Sequence, residues 1–141
     1  MIIKLVGSAL LAALAVSVSA EDWPQWGGPF RDHRSKEKGL LQSWPAGGPK
    51  QVWLNKDAGI GYAGVAISKG KLFTLGARNN KEIMLAIDAG TGKELWSLEM
   101  GEVLKNDWGD GPRGTPTVAG DQVFALSGQG TLAAANIADG K

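Results

Sequence analysis

The sequence predicts an all-β fold in which small four-stranded sheets repeat along the chain. After residue 20, short apolar stretches alternate with glycine, asparagine and aspartate, and their spacing of about ten residues is typical of strands joined by tight turns. No apolar stripe with the helical period of about 3.6 residues interrupts them. Six tryptophans and 21 glycines supply large packing anchors and turn residues.

The first element is a hydrophobic N-terminal stretch. Lys4 precedes an apolar run from Leu5 to about Val18, and Val18-Ser19-Ala20 has the small residues that signal peptidase needs. The run of about 14 residues is shorter than the roughly 20 that a membrane-spanning helix needs. We therefore expect residues 1–20 to be a secretory signal. The mature chain would then have no membrane span and would be periplasmic or secreted.

The composition excludes several classes of function. The chain has no cysteine, which excludes a disulfide framework, a zinc-thiolate site, a cysteine nucleophile and a lipidated cysteine. Its 15 basic and 14 acidic residues would balance once Lys4 is removed, so no basic surface is available for nucleic acid. His33 is the only histidine, which excludes a multi-histidine metal site and leaves no recognisable Ser-His-Asp set. We expect His33 to be solvated.

Strand signals begin after residue 50, so residues 21–50 are predicted to form an N-terminal segment. Eight strands are predicted beyond it: Val52 to Asn55, Val65 to Ser68, Lys71 to Leu75, Ile83 to Asp88, Leu95 to Met100, Thr117 to Ala119, Val123 to Ser127 and Thr131 to Asn136. Residues 51–141 would form the repeat region, with one unit at about 60–100 and a second at about 114–141.

The two units align with each other. "VAISKGKLFTL" aligns with "PTVAGDQVFAL", which pairs Phe73 with Phe124, and "AIDAGTGK" aligns with "AANIADGK", which pairs Gly92 with Gly140. A four-stranded unit of about 50 residues can bury both faces of its sheet only against neighbouring units, which is typical of a β-propeller blade.

The stretch "DAGTGKELW" combines a turn with a packing anchor. Asp88 can accept hydrogen bonds from the backbone N–H groups that follow it, and Gly90 and Gly92 can adopt positive φ. Trp96 then lies on the last strand of the unit, where we expect its indole to be buried between blades.

These residues resemble a known repeat. The tryptophan-docking motif of the pyrroloquinoline quinone (PQQ)-type propeller repeat is similar to Ala86-x-Asp88-x-x-Thr91-Gly92-Lys93-x-x-Trp96. In a second copy of the motif, Gly140-Lys141 corresponds to Gly92-Lys93. "EDWPQWGGPFRD" resembles the N-terminal segment of exported members, with Gly27 where an arginine is common. The resemblance implies a propeller of about eight blades, of which about one and three-quarters are present here.

The second copy of the motif lacks its tryptophan, which the repeat places three positions beyond Lys141. We therefore expect the chain to be the N-terminal fragment of a longer propeller, with the remaining blades in that longer chain.

The resemblance implies two classes of function. Its superfamily includes assembly scaffolds of the BamB kind and quinoprotein dehydrogenases, whose pocket has adjacent cysteines, a tryptophan under PQQ and carboxylates around calcium. No residue here maps onto that pocket, so its catalytic and cofactor-binding residues remain unassigned. We expect an exported binding or scaffold module for a protein or polysaccharide partner. The alternative is a PQQ-dependent alcohol or sugar dehydrogenase, for which PQQ and Ca²⁺ are implied by the resemblance alone.

Two loops carry chemistry-bearing residues. "NDWGDGPRGT" contains Asp107, Trp108, Asp110 and Arg113, which are candidates for a polar ligand or ion site at the propeller rim. The alternative is a solvated turn in which Trp108 caps the blade edge. The range 59–64 satisfies the dinucleotide pattern G-x-G-x-x-G, but a strand pair rather than a helix follows it, so we expect a loop between blades.

Overall fold

A computed structural model of the chain describes residues 20–141. The predicted signal therefore lies outside the described residues except for Ala20. The described part consists of strands, turns and loops without a helix, which confirms the all-β prediction. Within it, no helix is long and apolar enough to cross a membrane.

Across residues 20–141, seven strands form two antiparallel sheets. The first sheet, which we call blade 1, has the order β1-β2-β3-β4 and comprises β1 (Ala66–Ser68), β2 (Lys71–Arg78), β3 (Lys81–Asp88) and β4 (Glu94–Glu102). The second, blade 2, has the order β5-β6-β7 and comprises β5 (Thr117–Ala119), β6 (Gln122–Leu126) and β7 (Leu132–Asn136). The four-stranded and three-stranded antiparallel sheets have the arrangement that the sequence predicts for successive propeller blades.

The strand registers follow the internal repeat. Phe73 of β2 lies opposite Ala86 of β3, and Phe124 of β6 lies opposite Ala134 of β7. Equivalent residues therefore occupy equivalent positions in the two sheets.

The hydrophobic core lies between the blades. Side chains of blade 1 pack against side chains of blade 2 in one cluster of buried residues, which includes Phe73, Leu75, Met84, Ala86 and Met100 from blade 1 and Val118, Val123, Ala125, Ala135 and Ile137 from the region of blade 2. Burying this apolar surface is the main stabilising contribution to the junction.

The range 51–62 runs along blade 1 without joining its sheet ladder. Ile60 and Ala77 exchange backbone hydrogen bonds of 3.0 and 2.8 Å, and the carbonyl of Ala58 lies directly against Gly76. The predicted strand from Val52 to Asn55 is wrong as a strand, because among the described residues no neighbouring strand pairs with it.

The N-terminal segment joins the free edges of the two sheets. Trp23 and Ile67 of β1 exchange backbone hydrogen bonds of 2.9 and 2.8 Å, and the N–H of Val118 in β5 donates to the carbonyl of Pro24 at 2.8 Å. The Asp22 carboxylate accepts a 2.7 Å hydrogen bond from the Ser68 hydroxyl. A short stretch of backbone thus contacts both blades.

Candidate functional site

Trp96 docks onto the last turn of blade 2. Its indole Nε1–H donates to the carbonyl of Ile137 at 3.3 Å, and its ring lies against Gly140, where an added Cβ would be 2.8 Å from the ring. Gly140 has a φ of 76°, so this position favours glycine for its conformation as well as for the close approach. Trp96 is largely, though not fully, buried.

Trp53 docks in the same way onto the corresponding turn of blade 1. Its Nε1–H donates to the carbonyl of Ala89 at 2.9 Å, and its ring lies against Gly92, where an added Cβ would be 2.5 Å from it. The Asn55 side chain adds a hydrogen bond to the carbonyl of Gly92 at 2.8 Å. The sequence analysis missed Trp53, although Lys50 precedes it by three residues, as Lys93 precedes Trp96.

The turn of blade 1 is held by Asp88. Its Oδ1 accepts hydrogen bonds from Gly90 N at 3.1 Å, Thr91 N at 2.8 Å and Thr91 Oγ1 at 2.8 Å. The hydroxyl of Thr91, followed by its backbone N–H, holds the pKa of the Asp88 carboxyl below its usual range. Gly92 adopts a φ of 73°, whereas Gly90 does not adopt positive φ.

The lysine of each motif closes its turn with a backbone carbonyl, which accepts a hydrogen bond from the start of the turn. Asp88 N donates to the carbonyl of Lys93 at 2.8 Å, and Asn136 N donates to the carbonyl of Lys141 at 2.7 Å. Both turns therefore close with the same hydrogen bond.

The loop between β4 and β5, residues 103–116, is braced by two of the predicted rim residues. The Asp110 carboxylate accepts hydrogen bonds from Lys105 Nζ at 2.8 Å and from Asn106 N at 3.2 Å. These two bonds, with that of Lys105 the stronger, lower the pKa of Asp110. The Arg113 guanidinium donates to the carbonyls of Gly109 at 2.7 Å and Gly111 at 3.0 Å.

Tyr62 connects this loop to the range 59–62. Its N–H donates to the carbonyl of Pro112 at 2.8 Å, its hydroxyl lies against Gly109, and the Arg113 guanidinium carbon is 5.3 Å from its ring centre. A groove of about 640 Å³ lies here, lined by Gly59, Ile60, Gly61, Tyr62, Asn106, Asp107, Gly109 and Asp110.

Asp107 and Trp108 present their side chains to solvent at the tip of the loop. Trp108 is 89% exposed, so it does not cap the blade edge. Its backbone is fixed, because Trp108 N donates to the Asn106 side-chain oxygen at 2.9 Å. Of the four predicted rim residues, Asp110 and Arg113 thus shape the loop, and Asp107 and Trp108 remain available for contact.

A second groove lies beside the first, and Tyr62 lines both. Trp26 is 69% exposed and lines a groove of about 420 Å³ with Tyr62, Gly64, Arg113 and Thr115. His33 is exposed, and its ring centre lies 5.4 Å from the ring centre of Trp26 in an edge-to-face arrangement.

Glu82 is a buried residue that sequence reasoning missed. It has no solvent exposure, and its carboxylate accepts hydrogen bonds from Leu104 N at 3.0 Å and from Gly128 N at 2.6 Å. Leu104 lies near the start of the β4–β5 loop and Gly128 lies in the β6–β7 turn. Glu82 therefore ties the base of the loop and blade 2 to blade 1.

The residues present do not fit a calcium-dependent quinone pocket. Between residues 20 and 141, no three acidic, histidine or cysteine side chains are grouped so that they could hold a metal ion. The cysteine pair of the resembling dehydrogenases also has no counterpart in the sequence.

Comparison with known proteins agrees with the fold. The sequence model of a PQQ-like repeat family, described as outer membrane protein assembly factor BamB, matches residues 37–141. A search of curated proteins found no match.

Proposed function

Because the chain belongs to the PQQ-like repeat family described as outer membrane protein assembly factor BamB, we propose that it is an exported, propeller-type binding module. It would hold a protein partner through the tip of the β4–β5 loop. The observation that carries this proposal is the pair Asp107 and Trp108, exposed on a loop whose backbone is fixed by its own hydrogen bonds.

The fixed backbone favours binding because it lowers the entropy lost on association. Asp110 and Arg113 together satisfy groups at both ends of the loop tip. A binding loop that is already ordered loses less conformational freedom when a partner docks.

The composition of the tip is suited to a protein surface. Tryptophan is enriched among residues that dominate binding energy at interfaces, and a neighbouring carboxylate adds orientation. Trp108 makes no packing contribution that would explain a large exposed indole at this position. The family description, which names a protein assembly factor, favours a protein partner over a polysaccharide.

The proposal can be tested by site-specific photocrosslinking in the producing cells. A benzophenone amino acid at position 107 should give an adduct with one other protein, and the same group at the exposed turn residue Gln129 should not. Adding Trp108→Ala should reduce the adduct at position 107 by about tenfold, because an interface tryptophan is lost. The melting temperature should stay unchanged, since Trp108 is exposed.

Equal adduct yields at positions 107 and 129, or an adduct that Trp108→Ala leaves intact, would contradict a binding role for the loop. Dye reduction by the purified chain with PQQ, Ca²⁺ and an alcohol would instead support the dehydrogenase alternative.

Export is a separate part of the proposal. N-terminal sequencing of the mature protein should begin at Glu21, and fractionation should recover it outside the cytoplasm. A mature protein that retains Lys4 would argue against a cleaved signal.

A further inference from the structure

A groove lies at the junction of the two blades, beside the groove that contains Asp107. We call it the junction groove, and its volume is about 420 Å³. Its lining consists of Trp26, Tyr62, Gly64, Arg113 and Thr115. Small-molecule sites in proteins usually have volumes of about 300–1,000 Å³. The junction groove is therefore large enough for a small-molecule ligand or for part of a longer chain molecule.

The internal repeat places four of the lining residues at equivalent positions of the two units. With the same offset that aligns β2 with β6, Tyr62 aligns with Arg113 and Gly64 aligns with Thr115. Both pairs lie just before the first strand of a sheet, which is β1 in blade 1 and β5 in blade 2. The walls of the groove are thus loop residues supported by two packed sheets, which is where binding residues are commonly placed.

The charge of the junction groove is positive. Arg113 is the only charged side chain in its lining, whereas the neighbouring groove contains Asp107 and Asp110. The Arg113 guanidinium donates to two backbone carbonyls of its own loop. Between residues 20 and 141, no carboxylate forms an ion pair with it. Its remaining N–H donors are therefore available to an anionic ligand.

Two aromatic rings form apolar walls, and both rings are held in place. The ring centre of Trp26 lies 5.4 Å from that of His33 in an edge-to-face contact. The ring centre of Tyr62 lies 5.3 Å from the guanidinium carbon of Arg113, and the Tyr62 hydroxyl lies against Gly109. Both aromatic side chains are nevertheless more than half exposed. Rings that are already positioned lower the entropy that a ligand loses on binding.

The charge and the rings together indicate the chemistry of the ligand. A carboxylate accepts two parallel hydrogen bonds from the fork of an arginine. The faces of aromatic rings are electron-rich, so they attract the C–H groups of a sugar ring, which carry partial positive charge. The hydroxyls of Tyr62 and Thr115 can donate to sugar hydroxyls or accept from them. An acidic sugar combines the carboxylate, the C–H face and the hydroxyls in one unit.

We propose that the junction groove binds an acidic polysaccharide through a uronic acid unit. The carboxylate of this unit pairs with Arg113, and its sugar ring lies against Trp26 and Tyr62. The Thr115 hydroxyl bonds to a hydroxyl of the sugar. This site differs from the loop tip proposed for a protein partner, and binding at the groove does not require that partner.

Calorimetric titration of the full chain tests the proposal. The probes are oligosaccharides of galacturonic, glucuronic and mannuronic acid, and at least one of them should bind. Methyl esterification of the bound probe keeps the rings and hydroxyls but removes the charge, so it should raise the dissociation constant by about tenfold or more. Added salt should weaken binding of the acid and leave binding of the ester unchanged, because salt screens an exposed ion pair.

Two tryptophan variants test the position of the site. Trp26→Ala removes one ring face and should raise the dissociation constant by about tenfold, whereas Trp26→Phe should retain most of the affinity. Trp44→Ala is the matched control, because Trp44 is 66% exposed, close to the 69% of Trp26, and does not line the junction groove. It should leave binding unchanged. Melting temperatures verify that the variants are folded.

Three results would overturn the proposal. These are the absence of binding by all three acids, equal binding of an acid and its methyl ester, and binding that folded Trp26→Ala leaves unchanged. A short peptide with a free C-terminal carboxylate that binds as tightly as the acidic sugars would assign the groove to peptides instead. Because the titration uses the purified chain alone, its outcome is independent of crosslinking at the loop tip. Binding of the acid that Trp26→Ala weakens and Trp44→Ala does not would establish the site.

Discussion

The two blades have aligned sequences but very different burial. In blade 1, six consecutive residues of β3, from Glu82 to Ile87, are buried. In blade 2, β7 alternates between exposed and covered positions, and only Ala135 is fully buried. The same repeat therefore produces a strand covered on both faces in one blade and on one face in the other.

Neighbouring elements explain the difference. Blade 1 lies between the range 51–62 and blade 2, whereas blade 2 has a described neighbour on one side alone. Burial in this fold thus depends on position in the series more than on the residues of a single unit. Aligned substitutions in the two blades should have unequal effects.

The aligned phenylalanines should show the largest difference. Phe73 is fully buried, so Phe73→Ala should lower the free energy of unfolding by about 3–5 kcal/mol. Phe124 is only partly buried, so Phe124→Ala should cost about 1–2 kcal/mol. Urea denaturation at a fixed chain concentration measures both. Equal losses would show that blade 2 is covered on both faces in solution.

The docking tryptophans should come next. Trp96→Ala should cost about 3 kcal/mol, because the indole fills the junction and lies 6.0 Å from the ring centre of Phe73. Trp53→Ala should cost less, because the segment that it anchors is paired on neither edge. Phenylalanine at each position serves as the control that keeps the aromatic ring. A loss below about 1 kcal/mol for Trp96→Ala would contradict its role as an anchor.

Glu82 provides a test of the connection between the blades. Glu82→Gln keeps the shape but replaces one acceptor oxygen with an amide that cannot accept, so either Leu104 N or Gly128 N loses its partner. We expect a loss of about 2 kcal/mol, measured by urea denaturation. Faster hydrogen exchange at Leu104 and Gly128 would distinguish this local cause from general loosening.

The aligned pair Asp88 and Asn136 should give the smallest effect, visible as a pH dependence. Both side chains accept from the backbone two residues on, Asp88 from Gly90 at 3.1 Å and Asn136 from Ala138 at 2.8 Å. Because the folded pKa of Asp88 is lowered, its contribution is present above about pH 4 and is lost as the pH falls through the folded value.

Asp88→Asn should therefore flatten the loss of stability between neutral pH and low pH. Melting temperatures of both proteins across this range measure the difference. Identical pH profiles would show that Asp88 does not couple protonation to folding.

The sequence predicted most of the strands, because their turns carry clear local signals. It underestimated the lengths of β2 and β3. The structure extends β2 to Arg78 and begins β3 at Lys81. Asn79 and Asn80 both have positive φ, which makes a tight hairpin turn that continues the ladder to its end. Gly76 comes directly after the predicted end of β2, and its missing side chain accommodates the carbonyl of Ala58.

The candidate site was only partly predictable for a physical reason. The rim loop was recognisable from its polar and aromatic residues, but the division between bracing residues and exposed residues depends on backbone geometry. Glu82 preceded the predicted strand from Ile83 and carried no signal of burial, because its partners at Leu104 and Gly128 are distant in sequence. Trp53 follows Lys50 at the same spacing as Trp96 follows Lys93, but Pro49 stands in the place of the motif glycine, so the full motif did not mark it.

The backbone bonds of Trp23 and Pro24 to β1 and β5 have a consequence for folding kinetics. The hairpins of each blade close over short loops, whereas the bond from Val118 to Pro24 joins residues at nearly opposite ends of the described chain. Contacts of such long sequence separation are slow to form. The N-terminal segment is synthesised before the blades that it contacts, and it should therefore be among the last parts to reach its native position.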